Sequence, residues 1–488
     1  MSRSALPRLA LALACTASLA GCASLAPRYE TPAAPVPATF GDADAGTAEA
    51  PVVAGLAWED VFLDPRLQQV VARALTENRD LRVAMLNIEQ ARAQYGIRRA
   101  DLLPSVGVTA SETRARSSAA GSPTGTGGVG RNASVEVGFS AWELDLFGRI
   151  RSLKHQALAA YLSTEQAQRD TRLSLVAEVA ATWLAVAADQ QRLALARQTL
   201  ESQRETLRLT THLHDQGVAS GLDVAQVQTS VERARVDVAG FSTQLAQSRN
   251  ALARVVGAPV EEALLPDTTA LDAGIALALL PYAIDSSVLL QRPDVRAAEF
   301  TLQAANANIG AARAAFFPSI SLTAATGRGS DQLSNLFDGG NRTWVFMPTI
   351  NLPIFNAGAL RAELDVARIQ KDIDIAGYER AIQTAFAEVA DTLAAREQLD
   401  AQLDAQRALV DASERSHALA EARYRSGIDS YVDALDAQRT LYAARQELIG
   451  LRLTEANNRV TLYKVFGGGA DAVPADRTAP TPGTPTTQ

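Results

Sequence analysis

Residues that carry chemistry are scarce in this chain. Its 488 residues include four histidines and two cysteines, and aromatic residues make up only 5%. His212 and His214 are two positions apart, so on a helix they would not share the face that a metal pair needs. A nucleophile elbow, a P-loop and a glycine-rich dinucleotide turn are all missing. We therefore expect a protein that is not an enzyme, with no catalytic residue, cofactor or metal.

Positive charge and long apolar runs are also limited. The chain has 46 Lys+Arg against 54 Asp+Glu, a net charge of −8, and no basic block, which argues against nucleic acid as a partner. Beyond the N-terminus, no run reaches the roughly 18 apolar residues of a transmembrane helix. A part that spans a membrane would have to be β-structure.

The N-terminus has the pattern of an export signal. Arg3 and Arg8 precede the apolar stretch Leu9–Ala20, which is too short to span a bilayer. The sequence Leu19-Ala20-Gly21-Cys22 resembles the lipobox of bacterial lipoproteins. An ordinary secretory signal with an incidental cysteine is the alternative.

The lipobox resemblance implies a signal peptide at residues 1–21, cleavage before Cys22 and acylation of that cysteine. More than one acyl chain gives stable anchoring. Ala23 favours the outer membrane, because aspartate at that position would favour inner-membrane retention. Residues 22–57 are rich in Pro, Ala and Thr and predict an extended, lipid-anchored tether.

Hydrophobic periodicity predicts a helix from Pro65 to about Arg99, and then the period changes from helical to two. Alternation on either side of a Gly/Ser/Thr loop predicts a β-hairpin at residues 105–146, with strands long enough for a tilted transmembrane strand. At Trp142 the parity slips, which a β-bulge or the exit from the membrane would explain.

The same unit occurs twice. Leu103-Pro104-Ser105-Val106 returns 214 residues later as Phe317-Pro318-Ser319-Ile320, which begins a second predicted hairpin at 319–352. Two long proline-free segments, 148–257 and 358–467, match at an offset of 210 and each contains a central glycine turn. Both predict long helical hairpins, since a helix of this length needs a partner along it.

The resulting domain prediction has six parts. They are the signal peptide 1–21, the tether 22–57, a first repeat 58–257, a connector 258–287, a second repeat 288–467 and a disordered tail 468–488.

Four strands cannot close a barrel, and an open sheet edge cannot lie in lipid. Dimers would supply eight strands and trimers twelve. A ring of copies, with a shared barrel continuous with a shared cylinder of helices, is therefore expected to make a pore.

The repeat plan, the lipobox and above all the segment Ala422–Leu441 resemble the TolC-type outer-membrane efflux factors, in their lipoprotein (NodT/OprM-like) branch. The resemblance implies an α+β membrane protein that forms a homotrimer, with a twelve-stranded outer-membrane barrel and a twelve-helix periplasmic α-barrel. It also implies a periplasmic adaptor and an inner-membrane pump of the RND (resistance–nodulation–division) class as partners. The function would be passive exit of drugs or metal ions.

The resemblance also assigns two kinds of site. The adaptor would contact the turns of the helical hairpins, represented by Gly217, Ser220, Gly221, Gly427 and Ser430. These residues would otherwise only reverse the chain, and we expect both roles together.

The second assignment is a periplasmic gate. The matching residues are Asp436, Arg439, Tyr424 and Val432. Asp436 and Arg439 are three apart on a helix, so an exposed salt bridge is the simpler alternative. The first repeat has His214, Gln226 and Thr229 at the positions of Tyr424, Asp436 and Arg439, so the charged set occurs only in the second hairpin.

Two other functions fit the same sequence. One is a type I protein-secretion duct, against which the lipobox is weak evidence. The other is a periplasmic coiled-coil lipoprotein scaffold without a pore.

Overall fold

The computed structural model describes residues 24–40, 57–118, 127–268, 270–271 and 285–468. The signal peptide, Cys22 and all but the first residue of the predicted tail lie outside these ranges. The helices are α1 (Trp58–Val61), α2 (Pro65–Glu77), α3 (Arg79–Ala100), α4 (Arg149–Asp215), α5 (Gly221–Val256), α6 (Pro293–Ala314), α7 (Ala359–Arg425) and α8 (Tyr431–Val465). The strands are β1 (Gly107–Ser117), β2 (Gly128–Leu144), β3 (Ser319–Ser330) and β4 (Arg342–Asn351).

The chain forms two compact units, and each draws on both repeats. Of the described residues, the first contains those up to Ala33 and those within Asn87–Glu165 and Ala297–Glu379. The second contains the described residues within Ala34–Leu86 and Gln166–Arg296 and those from Arg380 to Gly468.

The four strands make one antiparallel sheet in the order β1-β2-β3-β4, so β1 and β4 are its edges. The β2–β3 register shifts between Phe139 and Trp142, and Ala141 there has a positive φ of 51°. This shift confirms that a β-bulge explains the parity slip predicted at Trp142. Every residue of β4 is exposed, including Trp344, which is 76% exposed.

One helix prediction is wrong. The helix expected to run unbroken from Pro65 to Arg99 divides at Asn78, whose ψ of 132° is extended. The side-chain Oδ1 of Asn78 accepts a hydrogen bond from the amide of Leu81 at 2.8 Å, so Asn78 caps α3. Asparagine competes with the helical backbone for hydrogen bonds in this way, and periodicity alone does not reveal it.

In the second unit, Trp183 of α4 is fully buried and is the largest such side chain among the described residues. Its indole Nε1 donates to the carbonyl of Leu264 at 2.9 Å, and the guanidinium of Arg66 lies 5.7 Å from its ring. Among the described helices, α4 alone is long and apolar enough to cross a membrane, and 61% of its apolar window is buried. A core helix has the same composition, so this window is weak evidence for a span.

Candidate functional site

The two helical hairpins reverse direction through the same backbone motif. At the end of α4, the amide of Gly217 donates to the carbonyl of His214 at 2.8 Å, and the amide of Val218 donates to that of Leu213 at 2.9 Å. The pair of bonds is a Schellman motif, with Gly217 left-handed at φ 78°. Glycine is favoured here because a side chain is strained at this φ.

The second turn repeats the motif 210 residues later. The amides of Gly427 and Ile428 donate to the carbonyls of Tyr424 and Arg423, both at 2.9 Å, and Gly427 has φ 69°. Arg423 also forms an ion pair across the turn, with its Nη2 2.8 Å from Asp429 Oδ1.

The predicted role of Gly221 in the reversal is wrong. Gly221 begins α5 without a positive φ, and a Cβ on it would only touch His214 at 3.9 Å. The reversal therefore depends on Gly217 and Gly427.

The two turns start their second helices differently. In the first turn, Ser220 and Asp223 form a capping box, in which Ser220 Oγ accepts from the Asp223 amide at 3.2 Å and Asp223 Oδ2 accepts from the Ser220 amide at 2.9 Å. In the second, the hydroxyl of Ser430 donates to the Asp433 carboxylate at 2.8 Å and caps no backbone amide.

Each turn presents two apolar side chains to solvent, at matching positions. Val218 and Leu222 are 72% and 66% exposed at the first turn. Ile428 and Val432 are 63% and 51% exposed at the second. Paired exposed apolar residues at the tip of a helical hairpin are suited to contact with another protein.

Of the predicted gate residues, Tyr424 is partly buried and packs against an apolar cluster of the second unit. Its ring contacts that of Tyr431 edge-on, with centroids 5.4 Å apart, and its hydroxyl lies 3.4 Å from Thr210 Oγ1. Tyr431 forms a buried apolar cluster with Val227 and Leu435, and Tyr424 packs against this cluster. Burial raises the pKa of Tyr431.

Asp436 and Arg439 are exposed on α8. Within the described part of the chain they form no ion pair with each other, so the intrahelical salt bridge considered from the sequence is absent there. Arg439 borders a groove of about 530 Å³ that is also lined by Gln203, Asp237 and Tyr442.

A contact that sequence reasoning missed joins the two hairpins. The side-chain amide of Gln203 on α4 donates to that of Gln438 on α8, and the hydroxyl of Tyr431 lies 3.5 Å from Gln203 Oε1. Because Gln203 and Gln438 are 235 residues apart, no local pattern indicates this pair. Among the described residues, no group of three or more His, Cys, Asp or Glu side chains is placed to hold a metal ion.

Comparison with known proteins defines the class. The model of the family described as "Outer membrane efflux protein" matches residues 70–258 and 285–468, which is more than half of the chain. The chain belongs to the outer membrane efflux protein family. It is an efflux channel of the outer membrane, in a family of transport ducts rather than enzymes, and the resemblance to the TolC-type factors is confirmed.

Individual relatives span nearly the whole chain. The toluene efflux pump outer membrane protein TtgC of Pseudomonas putida is 51% identical over 462 residues, covering 94% of this chain and 95% of the relative. Outer membrane protein OprJ of Pseudomonas aeruginosa is 41% identical over 451 residues, covering 92% and 94%. The open state of the MtrE outer membrane channel of Neisseria gonorrhoeae has a TM-score of 0.82 and 40% identity, covering 92% of this chain and 99% of that chain.

Proposed function

We propose that three copies of this chain assemble into a passive duct, with a twelve-stranded barrel in the outer membrane and a twelve-helix periplasmic α-barrel. The single observation that carries this proposal is the open four-stranded sheet. Its edges β1 and β4 would leave unpaired backbone groups in lipid, whereas β4 of one copy paired with β1 of the next would satisfy them. The exposed apolar side chains of β4, including Trp344 and Ile350, would then face lipid.

The duct would be anchored by lipid on Cys22 and divided along the chain into the six parts predicted from the sequence. It would belong to a tripartite system, with a periplasmic adaptor and an inner-membrane pump of the RND class. Exposed Val218, Leu222, Ile428 and Val432 support the hairpin turns as the adaptor-contacting tips, together with Gly217, Ser220, Gly221, Gly427 and Ser430.

The periplasmic gate would consist of Asp436, Arg439, Tyr424 and Val432. Three exposed copies of Asp436 and Arg439 around an axis would make a ring of charge that filters or closes the pore. The cargo would be small organic molecules, since 51%-identical relatives are named for toluene and antibiotic efflux.

The assembly is tested with the Cys22→Ser protein. A barrel protein without its lipid still needs detergent for extraction and elutes as a trimer, because its sheet faces lipid. Release of this variant as a soluble protein would favour the scaffold without a pore. Increased susceptibility of a deletion strain to antibiotics and solvents tests the cargo, and loss of an exported protein instead would favour the secretion duct.

The gate is tested by single-channel recording in planar bilayers. Asp436→Ala and Arg439→Ala should each raise the conductance. The matched controls are Gln226→Ala and Thr229→Ala, at the same positions of the first hairpin, and these should not change it. Unchanged conductance in all four variants would remove the gate assignment.

A further inference from the structure

The four-stranded sheet has an apolar face that can be followed from strand to strand. Alternate residues of a strand point to the same side, so Trp344, Phe346 and Ile350 of β4 share one face. The register carries this face across the sheet, because Phe346 pairs with Ala324 of β3 and Ala324 pairs with Phe139 of β2. Under the proposed function, this face meets lipid.

Two pairs of arginines stand on the same face. In the first hairpin, Arg114 of β1 lies directly opposite Arg131 of β2. In the second, Arg328 of β3 lies directly opposite Arg342 of β4. Val135, four residues from Arg131 along β2, pairs with Arg328, so all four arginines project from one side of the sheet.

The arginines lie at the end of the sheet where the two strands of each hairpin connect. At their other ends the strands join helices: β1 and β3 follow α3 and α6, and β2 and β4 precede α4 and α7. With the helices in the periplasm, as proposed, the arginines lie at the outer surface of the membrane. Trp344, two residues from Arg342 on the same face, supports this level, because tryptophan is enriched where lipid meets water.

The same arrangement occurs in both copies of the repeat. Arg114 and Arg328 match at the offset of 214, and each is opposite an arginine of the next strand. Side chains directly opposite in an antiparallel pair have Cβ atoms about 5 Å apart, so two like charges there destabilise the sheet. An anion between the two guanidinium groups would remove this cost. The recurrence of an unfavourable pair in both hairpins therefore favours an anion-binding role over chance.

A fifth arginine extends the group. Arg116 lies two residues beyond Arg114 on the same face of β1 and is exposed. We define the arginine rim as Arg114, Arg116, Arg131, Arg328 and Arg342. In the described strands, Glu112 is the single carboxylate on this face, and its Oε1 lies 2.7 Å from Arg114 Nη2. Five guanidinium groups on this face therefore have one carboxylate among them.

The rest of the arginine rim has no carboxylate partner among the described residues. Arg328 donates from Nη1 to the backbone carbonyls of Phe337 at 2.7 Å and Asp338 at 3.0 Å, which are neutral groups. Three members are exposed and form no ion pair within the described ranges, and these are Arg116, Arg131 and Arg342. The rim therefore keeps an excess of positive charge that no described carboxylate neutralises.

We propose that the arginine rim binds the phosphate groups of lipopolysaccharide in the outer leaflet of the membrane. A guanidinium group binds phosphate oxygens through two parallel hydrogen bonds and stays charged at physiological pH. Lipopolysaccharide carries its phosphates on the sugars just above its acyl chains, which is the level of a cation at the end of an apolar face. Each arginine pair would bracket one phosphate. The proposal rests on the outer-membrane barrel of the proposed function.

Bound phosphate would act on the strands as well as on the lipid. It would screen the repulsion within each arginine pair, and it would tie the outer ends of both hairpins to the same layer of glycolipid. In a ring of copies, the arginine rim would recur around the circumference and hold a shell of glycolipid there.

Binding is tested with the full-length protein in nonionic detergent, with fluorescently labelled bisphosphorylated lipid A as the probe. The Arg131→Gln/Arg342→Gln variant removes one arginine from each pair, and we expect its Kd for lipid A to be at least ten-fold higher than that of the wild type. Both side chains are exposed, so this variant should fold. Glu112→Gln, which removes the carboxylate beside Arg114, should lower the Kd.

The matched control removes two exposed arginines from helices. Arg208→Gln/Arg235→Gln, on α4 and α5, changes the net charge equally and should leave the Kd unchanged. An equal Kd in the wild type and the Arg131→Gln/Arg342→Gln variant would overturn the proposal. Equal binding of lipid A without its phosphates would overturn it as well.

Inorganic pyrophosphate tests whether the phosphate must belong to a lipid. It should not displace lipid A at equimolar concentration, and displacement would identify a site for free phosphate and overturn the assignment to lipopolysaccharide. Gel filtration tests the barrel separately. A wild type that elutes as a trimer only in detergent supports the proposed function, whatever its affinity for lipid A.

Discussion

Asn78 in the first repeat and Arg292 in the second occupy matching positions, and both reach back to the helix that returns to the start of their repeat. Asn78 Nδ2 donates to the carbonyl of Val255 at 2.7 Å, and Arg292 Nη1 donates to that of Val465 at 2.9 Å. Val255 and Val465 are themselves matched at the offset of 210. The contact therefore occurs in both copies, with a neutral amide as donor in the first and a charged guanidinium in the second.

Arg292 forms hydrogen bonds with more partners than Asn78 does. Arg292 is only 6% exposed and also bonds the carboxylates of Asp294 at 2.7 Å and Glu388 at 2.8 Å. Asn78 instead uses its Oδ1 to cap α3. The comparison teaches that the same backbone carbonyl can be bound in both copies by side chains that differ in charge. Matched pairs of variants can therefore separate the effect of this shared contact from the effect of the charge.

The largest expected difference concerns a pair of glycines at the ends of the returning helices. Gly257 has φ 83°, and a Cβ on it would lie 2.5 Å from the carbonyl oxygen of Glu77. At the matching Gly467, with φ 70°, the nearest atom would be 3.4 Å away on Arg292. Gly257→Ala should therefore cost roughly 2–5 kcal/mol, from left-handed strain plus overlap, and Gly467→Ala roughly 1–2 kcal/mol from strain alone.

Thermal unfolding of the detergent-solubilised protein, followed by far-ultraviolet circular dichroism, measures both variants. If both variants lose the same stability, the backbone around residue 257 accommodates the added Cβ without a further cost.

The next difference concerns Asn78 and Arg292 themselves. Arg292→Ala should cost about 2 kcal/mol, because it leaves the carbonyl of Val465 without its donor and removes one partner from each of two partly exposed carboxylates. Arg292→Asn should recover part of this loss, since it supplies a neutral amide donor like that of Asn78 in the first repeat. Asn78→Ala should cost about 1–2 kcal/mol through the lost cap and carbonyl bond. Thermal unfolding measures these variants as well. If Arg292→Asn is no more stable than Arg292→Ala, asparagine cannot replace arginine at this position.

A smaller difference is expected at the turns. Ser220→Ala removes a capping box and should cost about 1 kcal/mol, whereas Ser430→Ala removes no backbone cap and should cost less than about 0.5 kcal/mol. Hydrogen exchange of the first-turn amides of α5 and α8 measures the local effect of each variant. Equal acceleration of exchange in both would contradict the distinction between the caps.

The smallest difference depends on pH. Burial, helped by the nearby charge of Asp294, raises the pKa of Asp170, and its match in the second repeat is Arg380. Because the pKa of Asp170 is higher in the folded state than in the unfolded state, its protonation favours folding. This contribution to stability is complete only below the ordinary pKa near 3.8, and it is lost as the pH rises through the folded-state pKa. Asp170→Asn should therefore raise the melting temperature at pH 7, and the gain should vanish towards pH 4.

Arg380→Gln is the control for this experiment, because arginine stays charged throughout that range. A gain from Asp170→Asn that is the same at pH 7 and pH 4 would show that burial of this carboxylate is not its cause.

Much of the fold was predictable because it depends on local patterns repeated in the chain. Period-two alternation indicates the strands, and its slip at Trp142 indicates the β-bulge that the structure contains. The glycines at 217 and 427 indicate where the hairpins turn. The break at Asn78 was missed because a single polar side chain creates it within an otherwise continuous helical period.

The candidate site was less predictable, because its contacts join residues that are distant in the chain. Nothing near Tyr424 in the sequence indicates its packing on Tyr431 and Thr210, and the spacing of Asp436 and Arg439 suggested a salt bridge that the described chain does not form. The docking of Leu25 and Pro27 was missed because a Pro/Ala/Thr-rich composition gives no sign of the hydrogen bonds that Arg313 and Asn306 of α6 donate to their carbonyls.

The strand order has a consequence for the symmetry of a closed ring. Inside each chain, the junction between the two copies is β2 of the first beside β3 of the second. In the proposed trimer, the seam between neighbouring subunits would be β4 of the second copy beside β1 of the first. Every boundary around the circumference would then join a first copy to a second, so three identical polypeptides would produce a wall with approximate sixfold character.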